Sequence, residues 1–322
     1  MNGRQRFIEC MRFGSPDRVP YFEEGIRDVV LDLWKDQGFI ESSDLSQLFT
    51  YDHREEIHLN LDPRPDLDRW PTSSSGLNLL RQRLNPRDPD RFPEDWDERV
   101  QSWQGREHPL LLWLNRGFFQ SIGVQGWRSF ADVIYLVEDD PEFIKEIMEI
   151  QGEFLSTMAE SVLKDVQIDG AILSEPIGGN HGPLISPEMY AQFMLPCYQP
   201  IFEVLDRHGV ETIMVRTYAN ARLLLPIFVE MGVNCLWAHE RKTGAMDYLD
   251  IRKEFGRDLR LIGGIDLDVL RQNPETIRRE MNEVLPPLLA DGGFIPLLDG
   301  RVREDILFEN YAYYKRLLEE MT

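Results

Sequence analysis

The chain has 322 residues, 42% of them hydrophobic and 28% charged, a balance that excludes a disordered polypeptide and allows one sizeable core. A formal net charge of -21, with no basic stretch to offset it, excludes a nucleic-acid backbone as partner. The same acidity favours solubility and disfavours a polyanionic small substrate unless basic residues gather in one pocket.

In chain order, "DRVPYFEEG" (17–25) reads as a first strand and "REEIHLN" (54–60) as a second, with period-2 alternation that puts Glu56, His58 and Asn60 on one face. The segment 62–106 is rich in Pro, Asp and Arg and reads as an irregular excursion over a barrel mouth, between the second and third strands. "HPLLLWLNRG" (108–117) is a third strand, after which Asp140-Pro141 opens a long amphipathic helix. "DGAILSEP" (169–176) is a fourth strand, and the next helix starts at Ser186, a capping residue followed by Pro187 and Glu188. Strand "ETIMVRT" precedes a helix from about 220, and strand "CLWAHE" (235–240) one from about 246. "LRLIGGID" (259–266), a helix through Glu275 to Leu289, "GFIPLLDG" (293–300) and a closing helix complete the series.

Eight strands alternating with helices predict an α/β fold, a single (β/α)8 TIM barrel occupying residues 1–322. No glycine-rich phosphate loop follows any strand, which counts against dinucleotide binding. Cys10, Cys197 and Cys235 are too few and too scattered for a disulfide framework or a CxxC metal site. The first residues lack the apolar stretch of a signal peptide and no run approaches the roughly 18 residues of a membrane span, so the expected location is the cytoplasm.

Taken together, "SPDRVPYFEEG", "GPLISPEMYAQFMLPCYQPIFEVLDRHG" (182–209), "LLPIFVEMGVNCLWAHE" (224–240), "FGRDLRLIGGIDLDVL" (255–270), "DGGFIPLLDGRV" (291–302) and "ENYAYYKRLLEE" (309–320) resemble the uroporphyrinogen decarboxylase superfamily. The resemblance implies a (β/α)8 barrel with its site at the C-terminal strand ends. True decarboxylases of haem synthesis carry Arg-Gln-Ala-Gly-Arg-Tyr just after the first strand. This chain has Tyr21-Phe22-Glu23-Glu24-Gly25-Ile26-Arg27 there, and the two acids would repel a porphyrinogen's carboxylates. Zinc methyltransferases of the superfamily carry His-x-Cys after the fifth strand and a further Cys after the eighth. Here those places fall on Arg216, Tyr218 and the neighbourhood of Asp299, so the thiolate zinc site is absent.

The strand tips then present a polar ring: Glu23 or Glu24, His58, Asn115, Glu175, Arg216, Tyr218, His239, Glu240, Asp266 and Asp299. A ring of both signs at a barrel mouth is where pKa values are shifted for catalysis. His239 is the leading candidate for acid–base work or metal ligation, with Glu240 beside it, and these two are the expected ligands if any metal binds. Tyr218 is a candidate proton donor, although a free phenol with a pKa of about 10 is a weak acid without help. Arg216 suits a carboxylate clamp, or neutralises Glu175 or Asp266. Asn115, His58, Glu24, Asp266 and Asp299 are candidate substrate contacts.

The reading that follows is a methyltransferase moving a methyl group from a small methylated substrate to a corrinoid carried by a partner protein. The alternatives are a uroporphyrinogen decarboxylase-like lyase, a metal-dependent hydrolase or lyase with His and carboxylate ligands, and a non-catalytic small-molecule-binding barrel. The aromatic final helix (Phe308, Tyr311, Tyr313, Tyr314) and the resemblance make a homodimer plausible, although such aromatics more often pack a barrel.

Overall fold

Each apolar run that precedes a crossover helix becomes a strand of one curled parallel sheet. The computed structural model describes residues 1–241 and 244–322. Strands β1 (Glu55–Ile57), β2 (Leu110–Trp113), β3 (Gly170–Glu175), β4 (Ile213–Tyr218), β5 (Cys235–His239), β6 (Arg260–Ile265) and β7 (Phe294–Leu298) lie side by side in sequence order, every pair parallel. Helices cover the sheet, so the strands carry near-continuous apolar runs: Leu110 to Leu112 and Cys235 to His239 are all buried.

The expected eighth ladder, over 17–25, does not form as a strand. Its bonds to its neighbours are sparse: Asp52 N–H donates to the Tyr21 carbonyl (2.9 Å), Val302 N–H to that of Gly25 (3.1 Å), and Ile26 bridges Val302. The physical reason lies in the donors. Pro20 has no N–H, the Tyr21 N–H goes to the Asp52 carboxylate (2.8 Å), and Gly25 turns the chain at φ +103. Among the described residues the sheet therefore has seven strands, with extended chain in the place expected for the first.

The segment expected as an irregular excursion is the crossover from β1 to β2, and it is partly helical, with short helices Leu77–Arg83 and Trp96–Ser102. Arg91, fully buried, holds it by donating to the carbonyls of Asn60 (2.9 Å), Arg83 (2.7 Å), Asn85 (3.0 Å) and Asp62. The crossover packs on the long helix Pro141–Asp165, which Asp140 caps through the Phe143 N–H. Ser186 likewise caps Pro187–Arg207, and Asn273 caps Pro274–Asp291.

The helix expected from about 220 begins as a tight single turn, Arg222–Leu224, and continues as the short helix Leu225–Glu230, with Pro226 in its first turn, where a missing N–H costs no helical bond. In the final helix, Phe308–Met321, Tyr311 and Tyr314 are buried within the fold. The Gly263-Gly264 pair makes room for Tyr248, whose hydroxyl accepts from Ala238 N–H (3.0 Å) and donates to the Ile262 carbonyl (2.7 Å). A Cβ at Gly264 would stand 2.7 Å from the Tyr248 ring, and its φ is +86. Among the described residues no helix is long and apolar enough to cross a membrane.

Candidate active site

The pleat brings residues two apart on a strand to one face, and parallel register aligns strand tips. Tyr218 of β4 stands opposite His239 of β5, and Arg216 opposite Trp237. Arg216 is the hub. Its Nε donates to Nε2 of His239 (2.7 Å), its Nη2 to Oε2 of Glu24 (2.8 Å), and its Nη1 lies 3.7 Å from Glu56. A second guanidinium, Arg54, contacts Glu24 (3.3 Å) and Glu56 (3.2 Å). Both guanidiniums sit over the Trp237 ring, at 4.6 Å for Arg216 and 4.8 Å for Arg54, and Arg216 also faces Trp113 at 5.2 Å. The Trp113 Nε1–H donates to Glu56 (2.6 Å).

Burial sets the protonation of this group. Desolvation pushes the Glu24 carboxyl up, against the pull of Arg54 and Arg216. Glu56 is pushed the same way by burial, but His58, Arg54, Trp113 and Arg216 overcome it and bring the carboxyl down to about 2. His239 is brought down to about 2 by desolvation first, then by Arg216 and Arg54. The ring is therefore neutral: Nε2 accepts from Arg216, so Nδ1 carries the hydrogen, 3.6 Å from Glu24. Tyr218 stacks on that ring, with centroids 5.2 Å apart. Its hydroxyl has no hydrogen-bond partner among the described residues. His58 is exposed and lies beside Trp113, with centroids 5.1 Å apart.

A zinc ion does not fit here. At the ligand positions of the zinc enzymes stand a guanidinium, a phenol and, nearby, Asp299, and two guanidiniums beside His239 repel a cation. The chain's thiols do not replace them, since burial holds Cys235 up at about 12 as an inert protonated side chain.

The tips of β2 and β3 form a second region, with open space. Glu175 is fully buried and accepts from Asn115 Nδ2 (3.2 Å), the Phe118 N–H (3.1 Å) and the Tyr198 hydroxyl. Asn115 also donates to the Tyr198 oxygen (2.8 Å) and accepts from Ser174 N–H (2.6 Å). Desolvation raises the Glu175 carboxyl to about 7 despite those donors. Beside it lies a cavity of about 620 Å³, bordered by Phe118, Phe119, Val124, Ile177 and Leu184, with Arg116 at one wall. Arg116 and Gln120 also border a smaller cavity of about 390 Å³ that reaches His58 and Trp113.

The remaining candidates stand apart. Glu240 follows β5 at φ +41, points to solvent and lies 3.6 Å from Arg303. Asp266 caps the turn Leu267–Arg271 through Asp268 N–H (2.8 Å). Asp299 is buried, raised by desolvation to about 6, and accepts from Leu267 N–H (3.0 Å) with Arg241 at 3.6 Å. The structure thus unites Arg216, Tyr218, His239, Glu24 and His58 in one group and Asn115 with Glu175 in another. Sequence reasoning missed Arg54, Trp113, Arg116, Trp237 and Tyr198. The alternation Arg54, Glu56, His58 carried the signal for the first of these, and Arg116 directly follows Asn115.

Among solved structures, a methyltransferase from Methanosarcina mazei shares this fold, with a TM-score of 0.60 and 13% identity over 99% of this chain and 99% of that one. No curated protein sequence matches. The family described as uroporphyrinogen decarboxylase (URO-D) matches residues 122–296, which take in β3 to β6, the start of β7, Arg216 and His239, and part of the wall of the larger cavity. With more than half of its length so matched, the chain belongs to the uroporphyrinogen decarboxylase family.

Proposed function

We propose that the chain is a methyltransferase of this family, moving a methyl group from a small, mostly apolar methylated donor to a corrinoid carried by a partner protein. The observation that carries this reading is the substitution at the ligand positions: where zinc enzymes coordinate the leaving group, this chain presents the Tyr218 hydroxyl, stacked on a neutral His239 that Arg216 locks in place. The fold it shares with a methyltransferase, the aromatic lining of the cavity and the pair of acids at Glu23-Glu24 support the same reading.

A methyl ether or amine needs a proton on its leaving atom. In the transfer the bond from the methyl carbon to that heteroatom breaks, its electron pair stays on the heteroatom, and Tyr218 supplies the proton. The reduced corrinoid supplies the nucleophile that accepts the methyl group. Arg216, two residues back on the same strand face, stabilises the negative charge left on the phenol oxygen. His239 is a positioning residue, since a neutral ring already accepting from Arg216 has no proton to give except toward Glu24.

The test is anaerobic mixing of the protein with reduced cobalamin and a panel of methyl aryl ethers and methylamines, following methylcobalamin by its absorption spectrum. Turnover with one class, reduced roughly 100-fold in Tyr218→Phe with KM held, is the expected result. Release of carbon dioxide from uroporphyrinogen, or tight donor binding without turnover, would replace this reading by a decarboxylase or a binding barrel.

A further inference from the structure

At the opposite end of the sheet, the register that pairs Glu55 with Leu110 sets His53 beside His108, two residues earlier on each chain. Their rings meet edge to face with centroids 4.5 Å apart. His108 Nε2 lies 3.2 Å from Glu55 Oε2, and that oxygen also accepts from the Trp103 Nε1–H (2.8 Å). One donor atom from each of His53, Glu55 and His108 falls within 4.8 Å of the others.

We propose that His53, Glu55 and His108 form a binding site for a divalent first-row cation of the zinc class at the N-terminal end of the sheet. Tetrahedral zinc with bonds of about 2.0–2.1 Å needs donor atoms a little over 3 Å apart, a spacing the His108–Glu55 pair already has. His53 is exposed, so its imidazole turns freely to close the third edge. Two imidazoles and a carboxylate select zinc, nickel or cobalt over magnesium or calcium, and a water completes the shell. The Trp103 N–H orients the carboxylate from behind, as outer partners of metal ligands do. The N-terminal face of such sheets serves stability and not chemistry, and β1 is only three residues long. A cation there ties the start of β1 to the start of β2, across the long crossover that separates them in sequence.

The experiment is a calorimetric titration of the metal-stripped full chain with zinc, beside His53→Ala, His108→Ala, His58→Ala and His239→Ala. One equivalent is expected in the parent, His58→Ala and His239→Ala, with at least a tenfold weaker Kd in His53→Ala and His108→Ala. At a hundredfold excess of zinc over Kd, the parent Tm should rise by roughly 5 °C, and that rise should vanish in His53→Ala, whose exposed position leaves the fold intact. Cobalt should give the visible absorption of an imidazole-ligated ion in the parent, His58→Ala and His239→Ala, and a much weaker one in His53→Ala and His108→Ala. No binding by the parent, or binding unchanged in both His53→Ala and His108→Ala, overturns the proposal.

Discussion

The two halves of the mouth solve opposite problems. Around Arg216, strands β1, β4 and β5, with Arg54 just before β1 and Glu24 from the extended first segment, bring together two guanidiniums, two carboxylates and a histidine that satisfy one another over indole faces. Around Arg116, the tips of β2 and β3 hold one buried carboxylate, Glu175, fed by its own donors, and leave a cavity of about 620 Å³ beside it. The first half is an electrostatic device with its charges fixed in advance; the second is a space with apolar walls. Charges that are already paired cost little reorganisation when a reaction moves a proton nearby, whereas an apolar space can accept a donor without losing hydrogen bonds. On the proposed reading, recognition and chemistry would fall to different strands of one sheet.

The largest expected effect comes from breaking the charged half at its hub. Arg216→Met leaves Glu24 buried beside a single guanidinium and should cost about 3–5 kcal/mol in urea denaturation at pH 7. Combined with Glu24→Gln, the loss should fall short of the sum by at least about 1 kcal/mol; strictly additive losses would show that the cluster is no unit.

Next comes Glu175→Gln. The native carboxyl is held near 7, above its ordinary 4.5, so the native state binds the proton more tightly than the unfolded chain. The associated stability is present below about 4.5 and is lost as the pH rises through 7. The parent should therefore lose stability between pH 5 and pH 8, and the glutamine variant should flatten that fall by a few kcal/mol at most. An identical slope in both proteins would mean that Glu175 does not carry it.

Filling the open half is the third way to sharpen the contrast. Leu184→Trp at the half-exposed cavity rim should weaken donor binding about tenfold and change stability by less than about 0.5 kcal/mol. If binding is untouched, the donor sits elsewhere. The smallest effect belongs to His58→Ala, where an exposed ring leaves Trp113. Less than about 0.5 kcal/mol is expected, and a larger loss would show that this exposed edge of the charge cluster bears more than a solvated contact to Glu56.

The strands from β2 onward were legible because each is an apolar run between turn signals, and two of the long helices because Asp140 and Ser186 announce their starts. The chain over 17–25 was not: it read as a first strand, but Pro20 and the Asp52 carboxylate deny it a ladder. At the site, Arg216, Tyr218 and His239 were visible as polar residues ending apolar runs. Their neutral-histidine arrangement was hidden, because it depends on Arg54 and Glu24 arriving from distant segments. Arg116 and the cavity were also hidden, since a void is a property of how the loops after β2 and β3 splay and leaves no periodicity in the sequence.

The scarcity of backbone bonds along residues 19–27 has a kinetic consequence. Glu24 hangs from this seam and Glu56 from the three-residue β1, whereas Arg216 and His239 stand on the longer strands β4 and β5. Local opening free energies follow such bonding, so the amides of the seam should exchange with deuterium well before those of β3 and β4. Each opening would carry the anions away from their cations, making the seam the hinge on which the charged half of the mouth breathes.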